Sequence, residues 1–217
     1  SGSLSFGHFF VEFYETIIKD VAFRGMDMGY KSEKTRKNIC RAAAELFARE
    51  GFQRVTMQRI CSASGLSRGG LYRYYESTAA VFEDIAAGFA KNLADQFETA
   101  LHAGASAREM LRSISKDLEA EMTDPSSSLT AAIYEYCRCT GSGYLEIIYR
   151  NLRGIWKRFI EYGISTGEFN QVDAGACADL IIFTYEGVRM GSHVVQISSE
   201  TAHNVTGMIQ NLLVRVG

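Results

Sequence analysis

Residues 56–75 read Thr-Met-Gln-Arg-Ile-Cys-Ser-Ala-Ser-Gly-Leu-Ser-Arg-Gly-Gly-Leu-Tyr-Arg-Tyr-Tyr, and this stretch decides the fold. Thr56 stands just before a short amphipathic run, where its hydroxyl can accept from a free amide of the first helical turn. The inner face of that run is Met57, Ile60 and Cys61. Gly65 supplies a turn with Leu66 packed beneath it. Ser67 is placed to cap a second short helix, with Leu71 and Tyr75 facing inward and Arg68, Tyr72, Arg73 and Tyr74 facing out. Two short helices joined by a glycine-containing turn form a helix-turn-helix, whose second helix enters the DNA major groove. The pair Gly69-Gly70 costs that helix roughly 1 kcal/mol per residue relative to alanine. It makes sense where the backbone must come close to another surface. Arg68 and Arg73 can reach phosphates or guanine edges, and tyrosine hydroxyls commonly bond phosphates. Capped helix starts at Thr56 and Ser77 can each point N–H groups at a phosphate.

The charge around this stretch agrees. Between Lys31 and Ser77 ten Lys/Arg stand against four Asp/Glu, while the rest of the 217-residue chain holds 13 basic and 21 acidic residues. A basic segment joined to an acidic body is the footprint of a polyanion-binding module. Almost every longer segment is helically periodic. Ile39, Ala42, Ala43, Leu46 and Phe47 form one buried face, ended at Gly51. Phe82, Ile85, Phe89, Leu93, Phe97 and Leu101 mark a long helix behind Ser77. Further helices are expected around Leu111–Leu118, Leu129–Cys139, Tyr144–Ser165, Ala174–Val195 and Glu200–Val216. No strand-like alternation is sustained, so the fold class is all-α.

The segment from about Lys34 to Ile85 resembles the DNA-binding domain of the tetracycline-repressor (TetR) family of transcriptional regulators. Ala42-Ala43 with Leu46-Phe47, Gly51-Phe52, Val55-Thr56, Ile60, Gly65-Leu66-Ser67, Gly69 and Leu71-Tyr72 carry the resemblance. It implies that Thr56, Ser67, Arg68, Gly69, Tyr72, Arg73 and Tyr74 face DNA, with Gly70 beside them. Ser64 stands where the family usually has alanine and Tyr75 where it usually has phenylalanine. Thr78 replaces a lysine that usually touches phosphate; Lys34, with Lys31, Arg36 and Lys37, can compensate. The resemblance also implies a helical ligand-binding body and a dimer built from the last two helices. This divides the chain into an extension at 1–30, a DNA-binding domain at 31–80 and a ligand-binding and dimerisation domain at 81–217.

The residues of the body fit that scheme independently. Val205, Met208, Ile209, Leu212, Leu213 and Val216 form an apolar stripe, and Ala174, Ala178, Gly187 and Gly191 are small residues that let helices approach closely. Ala178, Gly187, Gly191, Val205, Met208, Ile209, Leu212 and Leu213 are therefore the expected dimer interface. Tyr149, Trp156, Phe159 and Tyr185 are the candidate lining of a pocket for a small apolar or aromatic effector, with Glu186 to orient it. The resulting expectation is a homodimeric, effector-released repressor on a palindromic operator in double-stranded DNA. An activator, or a regulator without an effector, is the alternative.

Other classes are disfavoured. No P-loop, dinucleotide fingerprint, nucleophile elbow or metal-binding helix pair is present, so no enzyme, cofactor or metal is expected. Cys137 and Cys139 sit two positions apart, pointing away from each other on a helix. Cys40, Cys61 and Cys177 read as small buried apolar residues. No run of about 18 uncharged apolar residues exists to span a membrane. With five cysteines and no basic, uninterrupted leader, a cytoplasmic home is expected. Before Lys31, Phe6, Phe10, Phe13, Ile17 and Val21 are spaced as an extra amphipathic helix or a segment read from a misjudged start.

Overall fold

The computed structural model describes residues 30–124, 129–141 and 143–214, excluding the side chains at 30, 31, 89–94 and 96. The extension at 1–29, the side chains of Lys31, Phe89 and Leu93, and Val216 lie outside the described residues. Nine helices occur among them: α1 Tyr30–Glu50, α2 Met57–Ser64, α3 Arg68–Tyr72, α4 Thr78–His102, α5 Ala107–Thr123, α6 Thr130–Thr140, α7 Tyr144–Ser165, α8 Ala174–Ser192 and α9 Ser199–Leu213. The chain is all-α, with one isolated antiparallel bridge between Phe169 and Val214.

The helices fall into two compact units. The first holds α1, α2, α3, the start of α4 and α6. Ile39, Ala43, Phe47, Ile60, Leu71, Val81, Phe82 and Ile85 are wholly buried there, so each helix delivers one apolar face to a common core. Phe82 meets Phe47 edge-on at 5.0 Å, and Phe52 and Tyr136 extend the aromatic cluster. Gly51 ends α1 with a φ of +78°, a conformation glycine adopts without strain. Glu135 of α6 accepts from the Gln53 amide at 3.0 Å, which fastens α6 to the turn behind α1.

The second unit holds the end of α4 with α5, α7, α8 and α9. Phe159, packed against Phe97, Trp156 and Phe169, is one of its centres. The start of α5 is capped twice. Ser106 accepts from the Glu109 amide, and the Glu168 carboxylate accepts from the Ala107 and Arg108 amides at 3.0 and 3.1 Å. α8 stops at Ser192, short of the expected Val195. The amides of Val194 and Val195 both turn back to the Gly191 carbonyl, leaving these two valines exposed ahead of the Ser198 cap of α9.

Candidate nucleic-acid interface

The helix-turn-helix is set by three local devices. The Thr56 hydroxyl accepts from the Arg59 amide at 3.3 Å and starts α2. Gly65, at φ +69°, ends it while the Leu66 amide bonds the Cys61 carbonyl at 3.1 Å. Ser67 then starts α3 by accepting from the Gly70 amide at 3.1 Å. Asn38 of α1 donates to the Ser64 carbonyl at 2.8 Å, and the Ser64 hydroxyl is satisfied by the Ile60 carbonyl at 2.7 Å. The serine at position 64 is thus accommodated inside α2 at no cost in unpaired polar groups.

With Leu71 wholly buried, α3 is fixed in rotation and presents Arg68, Gly69, Tyr72 and Arg73 to solvent, with Gly70 and Tyr74 half-buried. The Arg68 guanidinium lies over the Tyr72 ring, 5.6 Å from its centroid, a cation–π contact that orients it. Among the described residues no carboxylate pairs with Lys34, Arg68 or Arg73. Arg59, by contrast, is held by Glu50 at 2.6 Å, and Arg36 by Asp84 at 2.9 Å. Hydrogen bonds from Arg49 and Arg59 keep the Glu50 carboxyl below its ordinary range.

The two glycines differ in cause. A Cβ at residue 70 would stand 3.2 Å from the Ser67 oxygen, so glycine there protects the cap. At Gly69, apart from its chain neighbours and the helix's own backbone, no atom among the described residues lies within 4 Å of that position, so packing itself does not call for glycine. The Tyr74 hydroxyl bonds Ser32 and Thr35 of α1, which lowers its pKa and ties the end of the recognition segment to α1. Ser77 accepts from the Ala80 amide at 3.1 Å, with Thr78 beginning α4.

Residues 39–85 match the family model described as bacterial regulatory proteins, tetR family. Over 146 residues the chain is 30% identical to the HTH-type transcriptional regulator YfiR of Bacillus subtilis, covering 64% of this chain and 70% of that protein. The chain belongs to the TetR family. As a TetR-family protein it is a DNA-binding transcriptional regulator. It is also 25% identical over 138 residues to the HTH-type transcriptional repressor KstR2 of Rhodococcus jostii, covering 62% of this chain and 67% of that one. A putative regulator from Saccharomonospora viridis, solved in complex with choline, shares the fold at a TM-score of 0.66 and 19% identity, over 85% of this chain and all of that one.

The body of this TetR-family chain places the remaining candidates unevenly. Phe159 is 1% exposed, closed in by three other rings, and serves the core. Trp156 is half-buried beside it. Tyr185 is buried, its hydroxyl donating to Glu121 at 2.6 Å, while Arg189 ion-pairs with Glu121 at 2.9 Å and Glu186 at 3.2 Å. Burial pushes the Glu121 and Glu186 carboxyls above their ordinary range, against the pull of Arg189. Glu186 is thereby committed to an internal ion pair. Tyr149 donates to Asp179 at 2.7 Å and stacks on Phe183 at 5.2 Å. Trp156 and Phe159 meet in the ring cluster at 5.9 Å, whereas the contacts of Tyr149 are with Asp179 and Phe183 of α8 and the hydroxyl of Tyr185 is bonded to Glu121 of α5.

Of the expected dimer residues, Ala178 and Leu213 are 0% exposed and Ile209 is 6% exposed within the single chain. Their side chains are already covered, so they hold the protomer's own core. Met208 and Leu212 are exposed apolar residues, Gly187 is exposed, and Gly191 and Val205 are half-buried. Leu180, 54% exposed, and Phe183, 64% exposed, are two further exposed apolar residues of α8 that the expected interface left out. Leu180, Phe183 and Gly187 share one face of α8 at helical spacing, and their exposure marks that face as surface.

Proposed function

We propose that this chain is a homodimeric transcriptional repressor that binds a palindromic operator and is released by a small, largely apolar or aromatic effector. Residues 31–80 carry DNA recognition; residues 81–217 carry effector binding and dimerisation. Arg68 and Arg73 contact base edges or phosphates, Lys34, Thr56, Ser67, Tyr72 and Tyr74 contact the backbone, and Gly69-Gly70 let the helix approach closely. The observation that carries the reading is α3 itself: uncompensated arginines and a glycine that packing does not require share one exposed face. The work is binding rather than catalysis, on cytoplasmic DNA; among the described residues no helix is long and apolar enough to cross a membrane.

The sign of regulation is supported by likeness to a relative named as a repressor. An effector is supported by the shared fold of the regulator solved with choline. A dimer is supported by Leu180, Phe183, Met208 and Leu212, apolar side chains exposed on the last two helices. Two recognition helices must also address half-sites at least one DNA turn apart, which a two-fold dimer supplies. Selection of bound duplexes from a random pool tests the reading. Enrichment of a two-fold symmetric site supports it, and the absence of any enriched sequence overturns it.

A further inference from the structure

Position 75 departs from the family pattern by one hydroxyl group, and the structure gives that hydroxyl three partners. Tyr75 follows α3 directly, its amide bonded to the Leu71 carbonyl at 3.1 Å, and its ring is 6% exposed. Its hydroxyl donates to the Asp84 carboxylate of α4, accepts from Arg36 Nε of α1 at 3.1 Å, and lies 3.1 Å from the Cys40 Sγ. Arg36 closes the network by pairing with Asp84 through two nitrogens, Nε at 2.9 Å. Three segments that a helix-turn-helix must hold in register therefore meet at one phenol oxygen.

We propose that Tyr75, through Asp84 and Arg36, is a positioning element that sets the aim of the recognition helix and so the sequence specificity of DNA binding. Tyr75 and Asp84 are not among the residues assigned to touch DNA, and Arg36, which the sequence offered as a compensating phosphate contact, is spent on Asp84 instead; the proposal rests on the reading of α3 as the recognition helix. Leu71 fixes the rotation of α3 from within the core, but α3 is only five residues long and a single apolar anchor leaves its tilt free. The Tyr75 bonds supply directional restraints at the far end of the helix, and charge-assisted hydrogen bonds of this kind are the strong ones. The Arg36 and Asp84 side chains are 26% and 20% exposed, so solvent competes weakly for them. Burial raises the Cys40 thiol to about 12, so it remains a protonated partner rather than a reactive thiolate.

The measurement is the ratio of specific to non-specific DNA affinity. Non-specific binding comes from phosphate electrostatics and tolerates a misaimed helix; base contacts do not. Tyr75→Phe removes only the oxygen and leaves Asp84 paired with Arg36. Specific affinity should fall about tenfold, with non-specific affinity unchanged. A merely structural role would lower the folded fraction and weaken both modes by the same factor, leaving the ratio intact. Asp84→Asn keeps an acceptor for Tyr75 without the charge that pairs with Arg36, and its ratio should fall between wild type and Tyr75→Phe. An unchanged ratio in Tyr75→Phe, measured where Arg73→Ala weakens specific binding, overturns the proposal. If Arg73→Ala also changes nothing, the DNA reading of α3 fails and the proposal fails with it.

Discussion

The Ser67 oxygen stands 3.1 Å from the Gly70 amide that it caps, and a Cβ on residue 70 would come within 3.2 Å of that same oxygen. Cap and glycine are one device. Ser67→Ala should cost about 1 kcal/mol of stability in urea unfolding. Gly70→Ala should be better tolerated in the Ser67→Ala background than in the wild type, because the crowded oxygen is gone. A double-mutant cycle with strictly additive energies would show that the two positions act separately.

Gly51 and Gly65 both adopt positive φ, +78° and +69°, but in different surroundings. A Cβ on residue 51 would meet the Glu135 carboxylate at 2.6 Å, whereas at residue 65 it meets nothing within 4 Å. Gly65→Ala should therefore cost only backbone strain, about 1 kcal/mol. Gly51→Ala should cost more, since it also displaces the bond between Glu135 and the Gln53 amide. Thermal unfolding of the two variants side by side checks the order, and equal costs would remove Glu135 from the account.

Exposed and buried residues of α8 and α9 should separate cleanly. Phe183→Glu and Leu212→Glu should yield folded monomers by light scattering. Leu213→Ala should leave the dimer assembled at high concentration while costing about 2–5 kcal/mol of stability, as for a core leucine. A fully dimeric Phe183→Glu, Leu212→Glu double variant would move the interface elsewhere.

Glu168 gives a pH dependence with a defined sign. Partial burial alone would raise its pKa, but the hydrogen bonds from Ser106, Arg108 and Ala107 outweigh it and hold the carboxyl below its ordinary 4.5. A carboxyl depressed in the folded state contributes stability that is present above the unfolded pKa and lost as pH falls through the folded one. Glu168→Gln should therefore destabilise at neutral pH and flatten the acid limb of the stability curve below about pH 4.5. An acid limb identical to wild type would show that the cap carries no charge-dependent part.

The helix-turn-helix was legible because its signals are local. Thr56, Gly65 and Ser67 act within three or four residues along the chain, and Leu71 marks the buried face by spacing alone. What the sequence hid depends on distant partners. Nothing in the α6 residues announces that Glu135 and Tyr136 pack beneath Gly51 and Phe52. Aromatic richness did not show that Phe159 sits among three other rings while Phe183 is exposed, because composition carries no direction. The apolar stripe of α9 divides: Ile209 and Leu213 are spent within the protomer, while Met208 and Leu212 stay exposed. Tyr75 stood out only as a departure, and its meaning needed Asp84, nine residues further on.

The central claim is that the exposed face of α3 reads DNA, and equilibrium binding of wild type and Arg73→Ala to a selected operator tests it most directly across a range of salt. The account predicts that Arg73→Ala stays dimeric and loses about 1–3 kcal/mol of operator affinity: a base contact relaxes specificity at one position, and a phosphate contact reduces the salt slope by about one. Equal affinity and equal salt slope for the two proteins would contradict it.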